Sequence, residues 1–276
     1  MDRTRLSKLK GSLNLFLAKR KRKSVLFRGF EQRKQVVEFR GVVLKAMVKH
    51  ADAVITKELL NDALSVVGKA DDATNKKILA LLKKAWKPMS NFLSSDKTLS
   101  YLIWSGEQGG QAAADLIGAD GTFRLKNSKI IDLLDKRSTF LIDSMDETAL
   151  DSLRVAITDG LERDLTMTEL QNVIHAKFED EIGPYRAEMI TRTEFANAAG
   201  AVAKETYQKN DVETWTWVQP AGDEDDVCTE NDGVSVKIGD TFPSGDDNIP
   251  AHPNCKCDIL PDLPKDFDTT DLWLGD

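Results

Sequence analysis

Apolar residues recur at steps of three and four from the N-terminus to about Lys209, the spacing of a buried stripe on an α-helix. Leu6, Leu9, Leu13 and Phe16 open the series. Leu44, Val48, Ala51, Ile55 and Leu59 predict a helix within 31–67, with His50 beside the stripe at the surface or its boundary. Ile78, Leu81, Leu82 and Ala85 predict another, ending near Pro88 because proline disfavours helix in the residue before it. Shorter helical pieces follow over 99–104 and 112–117, and Asp120-Gly121 marks a turn. Beyond Phe123-Arg124-Leu125, the residues Ile130, Leu134 and Leu141 define the next face.

Two sites then carry capping-box spacing, a hydroxyl followed three residues later by a carboxylate. Ser144 to Glu147 predicts the start of a helix bearing Leu150, Leu153, Ile157 and Leu161. Thr166 to Glu169 predicts the start of one bearing Leu170, Val173, Ile174 and Phe178. The two read as an αα-hairpin with His175 in its packing; Glu169, Glu179 and Asp180 dilute the basic face a DNA-reading helix would need. Gly183-Pro184 breaks the chain and places proline in the first turn of the next helix, where no donor is lost. That helix runs to about Lys209, and its Ala198-Ala199-Gly200-Ala201 run permits close approach of another backbone. Arg192 and Glu194 on it offer either a buried polar link to the cysteine region or a solvated face. The β-like run Glu213–Val218 follows.

The fold class expected from this pattern is mainly α. A helical N-terminal region precedes a helical module with a small α+β C-terminal subdomain. The divisions expected are a basic arm over 1–30, a helical domain over 31–120, a module over 121–261 and an acidic tail over 262–276.

Charge changes the picture at the N-terminus. The net charge is −7, but residues 1–49 hold fifteen Lys/Arg against three Asp/Glu, leaving +12 there and −19 in the remainder. A basic arm on an acidic body suggests an anionic partner. Lys19, Arg20, Lys21, Arg22 and Lys23 form a block that releases counterions on meeting phosphates, so sequence-independent contact with double-stranded DNA is the sharp reading. A solvated tail and a membrane-surface helix are the alternatives. No apolar run reaches the length of a membrane helix, and Leu13–Ala18 is too short and too basic in its flanks for a secretory signal.

All three cysteines fall near the C-terminus, and an odd count argues against a disulfide framework. Cys228, His252, Cys255 and Cys257 supply the four ligands that a closed tetrahedral zinc site needs. Three thiolates around Zn²⁺ leave one negative charge, which Lys256 is placed to offset, and Pro250 and Pro253 restrict the loop. Structural zinc, packed thiols without metal, and a catalytic metal or nucleophile all remain open on spacing. Catalytic signatures are missing: the chain has no Gly-x-x-x-x-Gly-Lys-Ser/Thr loop, no His-Glu-x-x-His, no Gly-x-Ser-x-Gly and no dinucleotide glycine fingerprint. A Cys228–His252 hydrolase pair lacks an activating third group, and Asp223, Glu224, Asp225 and Asp226 read as a solvated loop before a Mg²⁺ or Ca²⁺ site.

The order of short motifs in the second half is more specific. Phe123-Arg124-Leu125, the helices of 127–180 and Arg186-Ala187-Glu188-Met189-Ile190-Thr191-Arg192-Thr193-Glu194 come first. Trp215-Thr216-Trp217, Gly222-Asp223-Glu224, Cys228, Asp232-Gly233 and Pro250-Ala251-His252-Pro253-Asn254-Cys255-Lys256-Cys257 follow. Together they resemble the phage head-morphogenesis domain of Mu F-like minor head proteins, over residues 123–261. The resemblance implies a non-enzymatic virion protein in the capsid interior near the portal vertex, present in the host cytoplasm during assembly. It implies the portal protein and the major capsid or scaffolding protein as partners, and packaged DNA as a contact for the arm. Many relatives carry Cys-x-x-Cys where this chain has Cys228-Thr229-Glu230-Asn231. The competing expectations are a zinc-dependent hydrolase or nuclease using His252 and the cysteines, and a free-standing nucleic-acid-binding protein using Lys19–Lys23.

Overall fold

The structure is a computed structural model. It describes residues 33–56, 59, 62, 72–85, 87–163, 165, 166, 169, 170, 172–174, 176, 183–220, 225–264, 267, 268 and 272–275. The basic block Lys19–Lys23 with the whole arm 1–30 lies outside the described residues, as do His175, Phe178, Gly222, Asp223 and Glu224. The described elements are α1 (Lys34–Val54), α2 (Asp72–Ala85), a 3₁₀ turn (Met89–Asn91), α3 (Ser95–Ile117), α4 (Ser128–Glu162) and α5 (Pro184–Lys209). Then come β1 (Thr214–Val218), α6 (Asp226–Asn231), β2 (Ser235–Lys237) and β3 (Asp258–Asp262). The mainly α class with a small C-terminal sheet is as expected. No described helix is long and apolar enough to cross a membrane.

The chain divides into two compact units. One is Glu38–Thr98 with Arg137–Met189; the other is the described part of Met1–Val37 with Leu99–Lys136 and Ile190–Asp276. In the first unit, α1 buries Phe39, Val43, Ala46, Met47, Ala51 and Val54. That stripe is turned by one position from the expected one: Val48 is 46% exposed and His50, expected at the surface or its boundary, is buried edge-on against Phe92. Both phases fit a 3.6-residue period, and only tertiary partners choose between them. Ile78 and Leu82 of α2 are fully buried, and the helix ends before Pro88 as expected. The Thr166 box is formed: its amide donates to Glu169 Oε2 at 2.8 Å, and its hydroxyl accepts from the Glu169 amide at 3.4 Å.

Two expected breaks do not occur. The pieces over 99–104 and 112–117 are one helix, α3, and Ser144 opens nothing, because α4 runs through it unbroken. Ser144 instead donates back to the Phe140 carbonyl at 2.7 Å, a bond available to serine inside a helix. The apolar period of α4 continues across the site through Leu141, Met145 and Leu153, and burial of that stripe outweighs the local capping signal.

In the second unit, α3 and α5 pack closely enough for the Ser105 hydroxyl to reach the Phe195 carbonyl at 2.9 Å. Gly109 makes this possible: a Cβ there would lie 2.6 Å from Ala199 Cα. The small-residue run on α5 thus admits another backbone, as expected from its composition. The sheet is antiparallel with order β2-β1-β3; Trp215 faces Val236 on one side and Pro261 on the other. Alternation on β1 drives Trp215 and Trp217 into the core, where they pack with Tyr207 and Phe242. On the opposite face, Thr216 bonds Ser235 at 2.6 Å and Asp262 at 2.8 Å. The last described residues are anchored: the Arg124 amide donates to Leu274 O at 2.9 Å, and Asn210 Oδ1 accepts from the Trp273 amide at 2.6 Å.

Candidate metal centre

Three segments of the second unit meet beside the sheet. The first is α6, a helix of under two turns capped by Asp225, whose side chain accepts from the Val227 amide at 3.1 Å. The cap fixes the helix start and sets Cys228 on its inner face, with no exposed surface. The second is the loop from 238 to 254, held by several side-chain anchors. Asn231, buried at the end of α6, donates to Ser244 Oγ at 2.7 Å and accepts from the Ser244 amide at 3.1 Å. Asn231 stands where Cys-x-x-Cys spacing would put a second thiol, and here it fastens this loop. Lys204 of α5 pairs with Asp247 at 2.6 Å. The third segment is the approach to β3, which carries Cys255 and Cys257 inward, both buried.

The helix motif Arg192-Thr193-Glu194 reaches this loop through its middle residue. Thr193 Oγ1 accepts from the Asn254 amide at 2.9 Å, and Asn254 holds the left-handed conformation at φ 65° that asparagine tolerates. Glu194 is buried, so the solvated-face reading of the motif does not hold for it. On the other side, Asp232 Oδ1 accepts from the Gln219 amide at 3.0 Å and the Gly233 amide donates to Trp217 O at 2.9 Å, fastening β1 to the end of α6.

The sulfur atoms of Cys228, Cys255 and Cys257 lie within 4.8 Å of one another. Cys228 and Cys255 are 3.6 Å apart. A tetrahedral zinc with Zn–S bonds of about 2.3 Å sets its sulfurs about 3.8 Å apart, so this edge has the size the ion needs. Cys228 also belongs to a second triad with His252 and Asp225, again within 4.8 Å. His252 Nε2 is 3.1 Å from Cys228 Sγ and 3.7 Å from Asp225 Oδ2. His252 Nδ1 is 2.9 Å from the Pro253 carbonyl, which can only accept. A neutral ring therefore carries its proton on Nδ1 and turns the Nε2 lone pair toward Cys228 Sγ, the tautomer a metal ligand needs.

Packing sets the proton affinity of each thiol. Burial pushes the Cys228 thiol up to about 12. A hydrogen bond from Cys257 pulls Cys255 down to about 6, and the same bond pushes Cys257 far up. One thiolate is thus tolerated and two thiols keep their protons, because burial and the hydrogen bonds among the sulfurs disfavour further charge. A divalent ion would displace those protons. By donor chemistry and spacing the three sulfurs fit a soft or borderline cation, and Asp225, Cys228 and His252 form a second group able to hold one.

The structure groups three of the four residues singled out by spacing, Cys228, Cys255 and Cys257, while His252 meets Cys228 in the second triad with Asp225. Asp225 was hidden in an acidic run; the signal was its position three residues before Cys228, on the same turn of α6. Thr193 had no signal as an anchor beyond its motif. No protein-family model, curated protein or solved structure matches the chain.

Proposed function

We propose that this chain is a phage minor head protein whose C-terminal subdomain is closed by a structural zinc ion on Cys228, His252, Cys255 and Cys257. The observation that carries the proposal is where the resembling motifs go. Thr193 of Arg-Thr-Glu bonds Asn254 of the His-Pro-Asn-Cys-Lys-Cys run, Asp232-Gly233 fastens α6 to β1, and Trp215 and Trp217 fill the core beneath. Motifs spread from Arg192 to Cys257 serve one local structure, as expected of a docking module stabilised by its metal. Zinc would supply cross-links among α6, the loop and β3, and neutralise the thiolates.

In this reading the protein sits in the capsid interior near the portal vertex. Its partners are the portal protein, the major capsid or scaffolding protein, and double-stranded DNA through Lys19, Arg20, Lys21, Arg22 and Lys23. Mass spectrometry of purified particles should detect a few copies per virion, and absence from mature particles would overturn the placement. Deleting residues 1–23 should weaken DNA binding and flatten its salt dependence.

One distance favours a second reading. Cys228 Sγ at 3.1 Å from His252 Nε2 also fits a nucleophile beside its base, as in a hydrolase. Two features weigh for the structural role. The Cys228 sulfur is fully buried with its thiol pushed up, whereas a nucleophile needs its thiolate accessible. Asp225 and Cys228 face the same imidazole nitrogen, while Nδ1 meets a backbone carbonyl. Hydrolase or nuclease turnover abolished by His252→Ala would favour the enzyme.

A further inference from the structure

The three sulfurs are sealed: Cys228, Cys255 and Cys257 expose 0%, 3% and 1% of their surface. A cation reaching them must first pass groups that water also reaches. The second triad supplies such groups. Side chains of Asp225 and His252 keep 37% and 24% of their surface exposed, and both converge on Cys228, which belongs to the sulfur triad as well. Cys228 therefore joins a half-open donor set of oxygen, nitrogen and sulfur to a closed set of sulfur alone.

The outer set is also close-set. His252 Nε2 stands 3.7 Å from an Asp225 carboxylate oxygen and 3.1 Å from Cys228 Sγ, so oxygen, nitrogen and sulfur donors converge on one half-open point. The carboxylate is fixed there independently of any metal. Its other oxygen caps α6 through the Val227 amide, and the Asp225 carbonyl accepts from the Thr229 amide at 2.9 Å and hydroxyl at 2.8 Å.

We propose that Asp225 is the capture ligand of the metal centre: with His252 and Cys228 it takes a divalent cation at the surface, and Cys228 and His252 then pass it to Cys255 and Cys257. This rests on the zinc reading given above. Asp225 contributes charge and an oxygen donor on the way in and out, while the resting ligands hold the ion. The thiol protons of Cys228 and Cys257 leave to solvent as their sulfurs become ligands, so each sulfur exchanges a proton for a share of the cation's charge.

The test is the rate of metal exchange on the full chain. Protein stripped of metal is mixed with Co²⁺ and the thiolate-to-cobalt absorbance is followed, then Zn²⁺ release to a chromogenic chelator is timed. Asp225→Asn is the variant, because asparagine caps a helix as well as aspartate and removes only the charge. Asp226→Asn, one residue along, controls for general loss of negative charge. Asp225→Asn should load and release about tenfold more slowly, the scale of one lost charge–dication contact near the surface. Its final content should stay at one equivalent, and Asp226→Asn should stay near the wild-type rate. Loading of Asp225→Asn at the wild-type rate would overturn the proposal. Loss of its bound equivalent would also overturn it, by making Asp225 a resting ligand. Failure of the wild-type chain to take up either metal would sink the zinc reading itself, a result distinct from the other two.

Discussion

Replacing Gly109 by alanine tests the packing that positions the whole second unit. On helix propensity alone the change should help, since glycine inside a helix costs about 1 kcal/mol relative to alanine. The structure reverses that expectation. The added Cβ would lie 2.6 Å from Ala199 Cα and 2.7 Å from its carbonyl carbon, with the carbonyl oxygen nearer still. Carbon atoms rest about 3.5–4.0 Å apart, so α3 and α5 would have to separate by roughly 1 Å. No side-chain rotation can relieve a clash with backbone. Overpacking of this kind costs about 1–3 kcal/mol. The upper end applies, because separation also strains the Ser105–Phe195 bond and loosens neighbouring contacts. After the propensity gain, the net loss is about 2 kcal/mol. Gly41→Ala on α1 is the control: a Cβ there meets nothing within 4 Å, so stability should rise by about 0.5–1 kcal/mol. Urea unfolding followed by far-ultraviolet circular dichroism reads both. Opposite shifts of the two midpoints are expected, and an increase in stability for Gly109→Ala would refute the reasoning.

Other consequences follow from single groups. Thr193→Val leaves the Asn254 amide without its acceptor, at a cost of about 1–3 kcal/mol; zinc should pass to a competing chelator more readily, and Thr193→Ser should restore retention. Burial, and secondarily Asp258, holds the Tyr207 phenol well above its ordinary range, so the folded state keeps that proton more tightly than the unfolded chain. Its contribution is full below about pH 10 and is lost as pH rises toward the folded value; Tyr207→Phe should flatten that alkaline loss of stability in a melting series. Bonds from the Thr166 hydroxyl and amide hold the Glu169 carboxyl below its ordinary range. That contribution is present above the ordinary carboxylate range and is lost as pH falls through the lowered value. The protection factor of the Thr166 amide against hydrogen exchange, taken relative to the intrinsic rate at each pH, should fall on acidification, and Glu169→Gln should weaken that pH dependence.

What could be read from the chain, and what could not, divides along physical lines. Local signals with a single outcome were legible: Pro88 ends α2, Pro184 begins α5, and the Thr166–Glu169 box forms. The mainly α class followed from periodicity, and the small-residue run on α5 announced a close neighbour without naming Gly109. Signals that tertiary packing can override were misread. The two short pieces expected over 99–104 and 112–117 are one helix, in which Gly106, Gly109 and Gly110 serve close contacts with Val202, Ala199 and Phe123. Ser144 had a cap's spacing but sits in a helix whose apolar stripe never stops. The phase of α1 depended on partners distant in sequence, which is why Val48 is outside and His50 inside. At the candidate metal centre, spacing singled out the three cysteines that the structure groups and the His252 that meets Cys228, while the places of Asp225 and Thr193 emerged only when α5, α6 and the loop were brought together.

Elemental analysis of the full chain, purified without added metal or chelator, tests the central claim most directly. About one zinc per chain is expected, and Cys255→Ser should lose it together with the protection of the loop around Asn254 from hydrogen exchange. A natively purified wild-type chain that carries no metal, with that loop equally protected, would contradict the account.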